Sequence, residues 1–193
     1  MSLFKSTDLI KSEKKPQVKA SVKASGNNRA FIGKANVKLK QVIGPVNPNE
    51  SIHFASLGDW STHDLLFYLL QISGPASVYF TTWAISEYAI RQLYNFIQEG
   101  LILELHGIFD YRNGVRKPAE LQFLQQITTN IKPAKCHAKV TVIINDAWGI
   151  CIVGSANYTR NPRIEAGVIC SERSVAEFHR DWIIKELNES TVF

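Results

Sequence analysis

Short β-branched or aromatic runs alternate with amphipathic helical stretches along most of this chain, and that alternation predicts an α/β sandwich: a mixed, mostly parallel sheet flanked by helices. Length and composition agree, because 193 residues with 45% hydrophobic content suit one domain with a sizeable core. The polar groups able to do chemistry gather between Cys136 and Val168, where strands meet loops, and loops on a rigid frame are where such folds carry their sites.

Residues 1–40 are rich in Lys, Ser and Asn, interrupted by Ala30, Phe31 and Ile32 between Gly26 and Gly33. Valine and lysine alternate from Val37 to Val42 as in a short edge strand, and Pro45 and Pro48 then mark a linker. Residues 1–50 are accordingly expected to be a flexible basic arm and linker, with the folded domain at 51–193. Ser51 to Leu57 alternates as a strand. Ser61 is placed to cap a helix, Asp64 stands three residues on in the position of a capping-box acid, Leu65, Leu66, Leu69 and Leu70 supply the apolar face, and Ser73, Gly74 and Pro75 stop it. The run SVYFTTWA reads as a buried strand. Ser86 caps a second helix with Ile90, Leu93, Tyr94 and Ile97 as its stripe, Ile85 and Ile90 are placed as a hydrophobic staple, and Gly100 closes it. LILELHGIF follows as a strand, and Pro118 opens a third helix carrying Leu121, Leu124 and Ile127. Val175, Phe178, Trp182 and Ile183 define a closing helix.

Between the last two helices, His137 and Lys139 stand two apart at the head of the apolar run Val140 to Ile144, so an extended backbone projects both from one face. A turn through Asn145 to Trp148 leads to a second apolar run, Ile150 to Val153, that pairs back on the first. Gly154 ends it, and Ser155 and Asn157 then offer a hydroxyl and an amide, both able to bind phosphate. Glu165 opens a further strand, where its carboxylate can accept a hydrogen bond from one nitrogen of His137.

H-x-K, then G-S-x-N, then a downstream Glu resembles the HKD motif of the phospholipase D superfamily, in its single-motif branch. The resemblance implies a phospholipase D-like sandwich and metal-independent phosphodiester cleavage through a phosphohistidine on His137, with no cofactor. It further implies that Lys139, Ser155 and Asn157 grip the phosphate oxygens while Glu165 holds the imidazole. The sequence departs from the family in two ways: Ile144 stands in place of the motif's Asp, with Asp146 two residues late and given no role, and the Gly154-Ser155 pair comes late in the spacing, as a longer hairpin would place it. One H-x-K per chain, in a reaction that needs one histidine to attack and another to protonate the leaving oxygen, implies a homodimer with a shared site.

Charge points to the substrate. Residues 1–40 hold 10 Lys/Arg against Asp8 and Glu13, whereas the remaining 153 residues hold 12 basic and 15 acidic groups, so the net +5 belongs to the arm. Such an arm reads either as a solubilising tail or as a segment that neutralises phosphates on nucleic acid, DNA ahead of RNA, or meets an anionic membrane surface. Two other readings stay open: a catalytically silent nucleic-acid-binding or assembly protein, and a phospholipid hydrolase or transferase. Cys136, Cys151 and Cys170 form no C-x-x-C pair and fit reduced thiols in a cytoplasmic protein, and no run reaches the length of a membrane span. His53, His63, His106 and His179 read as structural or surface residues, with His53 the first exception to weigh; Arg160 and Arg163 read as surface arginines, with phosphate contact the alternative, and Trp60, Trp83 and Trp148 as core or rim aromatics, with Trp148 the exception that the turn would expose.

Overall fold

The structure is a computed structural model and describes residues 28–32, 39–160 and 162–189. In chain order it contains β1 (Asn28–Ile32), α1 (Leu39–Val42), β2 (Ser51–Ser56), α2 (Thr62–Ser73), β3 (Ala76–Thr82), α3 (Glu87–Gln98) and β4 (Ile102–Asp110). Then follow α4 (Tyr111–Arg116), α5 (Pro118–Ile127), β5 (Asn130–Ala134), β6 (Val140–Ile144), β7 (Gly149–Gly154), β8 (Glu165–Cys170) and α6 (Arg173–Asn188). The described strands form one eight-stranded sheet in the order β1-β2-β8-β7-β6-β3-β4-β5.

The sheet is mixed, but the expected parallel majority is wrong. Three neighbouring pairs, β1/β2, β3/β4 and β4/β5, run parallel, while β2/β8, β8/β7, β7/β6 and β6/β3 run antiparallel. The connections explain the division. The parallel neighbours β3, β4 and β5 are joined through helices, which carry the chain back to the same edge, whereas β6 and β7 are joined by a tight turn that forces reversal. In that turn the Asn145 side-chain oxygen accepts from the amides of Ala147 and Trp148.

Alternation along the strands divides the core between two faces. Val78, Phe80, Ile143, Ile150 and Ile152 pack with Leu65, Leu66, Leu69 and Leu70 of α2 and with Ile90 and Leu93 of α3. Their neighbours Tyr79, Val142, Ile144 and Cys151 face the other way, against Ala176 and Ile183 of α6. Burying each Leu, Ile or Phe fully is worth about 1.5–3 kcal/mol, so these two layers dominate the fold's stability. Phe178, expected on the apolar face of α6, is 65% exposed instead. Ser86 caps α3 as expected, its hydroxyl accepting from the Ala89 amide at 3.3 Å, and Gly100 takes the positive φ of 71° that ends this helical segment.

Part of the stretch assigned to the arm is built into the fold. β1 pairs along β2, Leu39–Val42 is a helical turn where an edge strand was expected, and Ile43 and Val46 are only 1% and 6% exposed. The proline-rich connection is tied down as well: the Ser171 hydroxyl donates to the Asn47 carbonyl at 2.5 Å and accepts from the Glu50 amide at 2.9 Å. Residues 1–27 and 33–38 lie outside the described residues. No helix among the described residues is long and apolar enough to cross a membrane.

Candidate active site

Strand directions decide where the chemistry collects. β2, β3, β4 and β7 end at the sheet edge where β6 and β8 begin, since β6 runs antiparallel to β3 and β7, and β8 to β7 and β2. His137 and Lys139 lie in the extended approach to β6, not on the strand itself. Lys139 Nζ stands 3.4 Å from His137 Nδ1 and donates to the His137 carbonyl at 2.7 Å. The Lys139 carbonyl accepts from the Gly154 amide at 3.1 Å, which anchors the approach to the end of β7.

Across that anchor, Ser155 and Glu165 are directly bonded, the Ser155 hydroxyl donating to Glu165 Oε2. The same hydroxyl oxygen accepts from the Ala166 amide at 3.1 Å. Ser155 is thus one partner of Glu165, the residue that the resemblance puts on the imidazole. Two glycines permit the close approach of β7 and β8 here. A Cβ at Gly167 would meet the Val153 carbonyl and the Phe54 ring at 2.8 Å, and one at Gly154 would meet the Ala166 carbonyl at 3.0 Å.

Asn157 is fixed from one side. Its Oδ1 accepts from the backbone amides of Trp83 and Ala84 at 3.1 and 3.2 Å, and from the Thr82 hydroxyl at 3.3 Å. Two main-chain donors can only face an oxygen, so the amide orientation is determined and Nδ2 is left as a donor without a partner among the described residues. The loop is held from beneath by Thr62, at the start of α2, whose hydroxyl donates to the carbonyls of Asn157 at 3.1 Å and Ala156 at 3.4 Å.

A cleft of about 430 Å³, counting its open mouth, adjoins Lys139 and Glu165. Its wall is mostly apolar, with Phe54, Leu65, Ile152 and Tyr158 below the rim. This environment pushes the Lys139 amine below the usual lysine range; lost hydration is the main cause, opposed by the nearby Cys136 thiol and the Glu165 carboxylate. The cleft floor is closed by the buried Thr141 and Tyr158 hydroxyls, 2.7 Å apart.

His137, Lys139, Ser155, Asn157 and Glu165 are therefore brought to one end of the sheet. The other histidines are not. His53 is exposed on β2, opposite Val168; His106 stacks on Tyr79 at 4.7 Å, midway along β4; His179 lies on α6. His63 is only 1% exposed, edge-on to Tyr88 at 5.4 Å. Arg160 lies 4.8 Å over the Tyr88 ring, and Arg163 is exposed. Trp148 is half-buried against the core at the far end of β6, which removes it as a base platform. Sequence reasoning missed Thr62, Trp83 and the pair Asp110 and Arg112. The last was legible as an acid closing an apolar strand with an arginine two residues on.

No family model matches this chain, and no curated protein sequence matches it. Solved structures do. One is described as a phospholipase D family member, Nuc from Salmonella typhimurium, with 15% identity, a TM-score of 0.59, and 75% of this chain covering 99% of that one. A second is NucT from Helicobacter pylori, at 19% identity and TM-score 0.55, with 75% of this chain covering 100% of that one. A third is polyphosphate kinase from Porphyromonas gingivalis, at 18% identity and TM-score 0.51, where the match spans 75% of this chain and only 27% of the other.

Proposed function

From a fold of the phospholipase D type, we propose that the chain is a metal-independent phosphodiesterase acting on nucleic acid through a phosphohistidine. The observation that carries this reading is the convergence of His137, Lys139, Ser155, Asn157 and Glu165, delivered by three separate segments to one end of the sheet. An imidazole nitrogen of His137 attacks phosphorus, the leaving oxygen departs with a proton, and water then cleaves the P–N bond. Lys139 supplies the positive charge for the phosphoryl oxygens, and its partly dry surroundings strengthen that attraction. Ser155 and the Nδ2 group of Asn157 supply directed hydrogen bonds, while Glu165 holds the serine hydroxyl.

The leaving oxygen needs an acid. The nearly inaccessible His63 cannot meet substrate, and His53 and His106 sit back from the strand ends, so we assign that role to His137 of a second copy across a two-fold axis. The rim supports this pairing, because Leu57, Val153 and Ile164, beside the ends of β2 and β7 and the start of β8, are 44%, 40% and 75% exposed. The basic arm favours nucleic acid, with DNA ahead of RNA. The apolar cleft beside Lys139 supports one second reading, a phospholipid hydrolase. Burial and neighbouring Cys170 push the Cys151 thiol up to about 12.

The deciding experiment is rapid acid quench of the protein with labelled oligonucleotides and phosphatidyl lipids, followed by mapping of acid-labile label. Label on His137 from an oligonucleotide, lost in His137→Ala and unaffected by EDTA, is the expected result. Label from lipid alone would transfer the site to the second reading. Absence of both label and turnover would make the chain a silent binding or assembly protein.

A further inference from the structure

Asp110 ends β4 at the same sheet edge as the proposed site and is 1% exposed. A carboxylate so placed persists only if its lone pairs are filled. Arg112 fills them from Nε at 2.7 Å, from Nη2 at 3.0 Å and from its own amide at 3.2 Å, and the backbone amide of Cys136 adds a further bond. The Arg112 side-chain bonds, opposed by burial, hold this carboxyl below its usual range. Asp110 thereby joins two things: the turn that follows β4, and the residue immediately before His137.

Arg112 is not consumed by that pairing. Its side chain is half exposed, and the fork with Asp110 uses Nε and Nη2, so Nη1 remains without a partner among the described residues. The contrast with Lys132 is informative: that amine is buried and spent on the Glu186 carbonyl and carboxylate and the Glu189 carbonyl, as a purely structural cation would be. The Arg112 guanidinium also lies 6.0 Å from the Trp83 ring centre, and the Trp83 ring lies 6.3 Å from the His137 ring. Nucleophile, indole and fixed guanidinium thus form a row along the sheet edge, with the backbone of Trp83 pinned by Asn157.

We infer that Arg112, aimed by Asp110 and backed by Trp83, binds the phosphate adjoining the scissile one, so that the site favours a polynucleotide strand over an isolated diester. A planar guanidinium held on one edge presents its other edge in a fixed direction, which suits a phosphate that must be found at a set distance from the reacting one. Asp110 is a positioning residue in this scheme, acting on Arg112 and on the segment leading to His137. The inference rests on the nucleic-acid reading proposed above.

Two substrates separate its parts: thymidylyl-thymidine, whose single phosphodiester has no phosphate neighbour, and pentathymidylate. Arg112→Lys keeps a positive charge beside Asp110 and so protects the fold, while Arg112→Ala removes it. Arg112→Lys should lower kcat/KM on pentathymidylate by about tenfold, the worth of one charge-assisted hydrogen bond, and leave thymidylyl-thymidine within about twofold of wild type, whereas Arg112→Ala should lower both, because it leaves the buried Asp110 carboxylate without its cation. Asp110→Asn should lower both substrates together, because it also loosens the Cys136 anchor. Equal losses on the two substrates for Arg112→Lys, or no loss on either, would overturn the assignment while leaving the proposed phosphodiesterase in place. A wild-type protein that cleaves neither substrate would overturn the nucleic-acid reading and this inference with it.

Discussion

Asn157 carries two tasks on one side chain, and two substitutions pull them apart. Its oxygen holds the Trp83 and Ala84 amides and the Thr82 hydroxyl, while its nitrogen is the donor proposed above to meet phosphate. Asn157→Ala leaves two half-buried main-chain donors without an acceptor, and at about 1–3 kcal/mol for each unsatisfied group, taken near the low end for partial exposure, the loss is about 2–3 kcal/mol. With a urea slope of about 2 kcal/mol per molar, the unfolding midpoint should fall by about 1 M. Asn157→Asp keeps an oxygen on all three donors and should cost under about 1 kcal/mol in the same titration. It nevertheless replaces the outward donor with a negative oxygen facing phosphate, and turnover should drop at least about a hundredfold, as when one donor to a developing anion is lost. Urea denaturation followed by tryptophan fluorescence, set beside turnover of a model diester, reads both quantities. If Asn157→Asp is as unstable as Asn157→Ala, or keeps turnover within about tenfold of wild type, the division of labour between oxygen and nitrogen is wrong.

Three further outcomes follow from other parts of the molecule. When wild-type and His137→Ala chains are unfolded together in equal amounts and refolded, about a quarter of dimers are fully wild type, so a shared site retains about a quarter of the activity; about half, or a monomer in sedimentation, would exclude sharing. Burial, followed by the opposed charges of Asp64 and Arg160, holds the His63 pKa below its ordinary value. The unfolded chain therefore takes up protons first as pH falls below about 6.5, so stability present above that pH declines toward the folded pKa, and His63→Gln should flatten the decline in thermal unfolding midpoint between pH 7.5 and 5.5 while leaving the share due to His179, which burial also lowers. Removing residues 1–27 deletes six lysines with Asp8 and Glu13 but spares β1; oligonucleotide affinity at low salt should fall, with the salt slope flattening by about 0.7 for each single-strand phosphate that the arm neutralises. Unchanged affinity and slope would assign the arm to another purpose.

What could be read in advance was whatever depends on near neighbours in sequence. The caps at Ser61 and Ser86 and the turn at Asn145 are set by side chains within a few residues of the backbone they serve. Strand direction is different in kind: alternation with a period of two is the same in parallel and antiparallel pairs, so beyond the hairpin of β6 and β7 the antiparallel majority could not be read until partners were known. β5 hid because its sequence, NIKPA, carries a proline tolerable at a sheet edge and a lysine whose burial is explained only by the distant end of α6. The candidate site divides in the same way. The motif residues announced themselves by spacing, whereas Asp110 and Trp83 gain their places from β3 and β4 lying side by side and from the loop that precedes β6.

The seam between β2 and β8 has a consequence for how the molecule is made. Residues 51–56 leave the ribosome long before the strand they pair with, 165–170, and the Glu165 carboxylate and Gly167 that shape the cleft arrive on that same later segment. Neither this half of the sheet nor its floor can close until residues 165–170 have been made, since such distant contacts form only after the intervening chain exists. A chain interrupted anywhere before Glu165 would therefore be without its cleft.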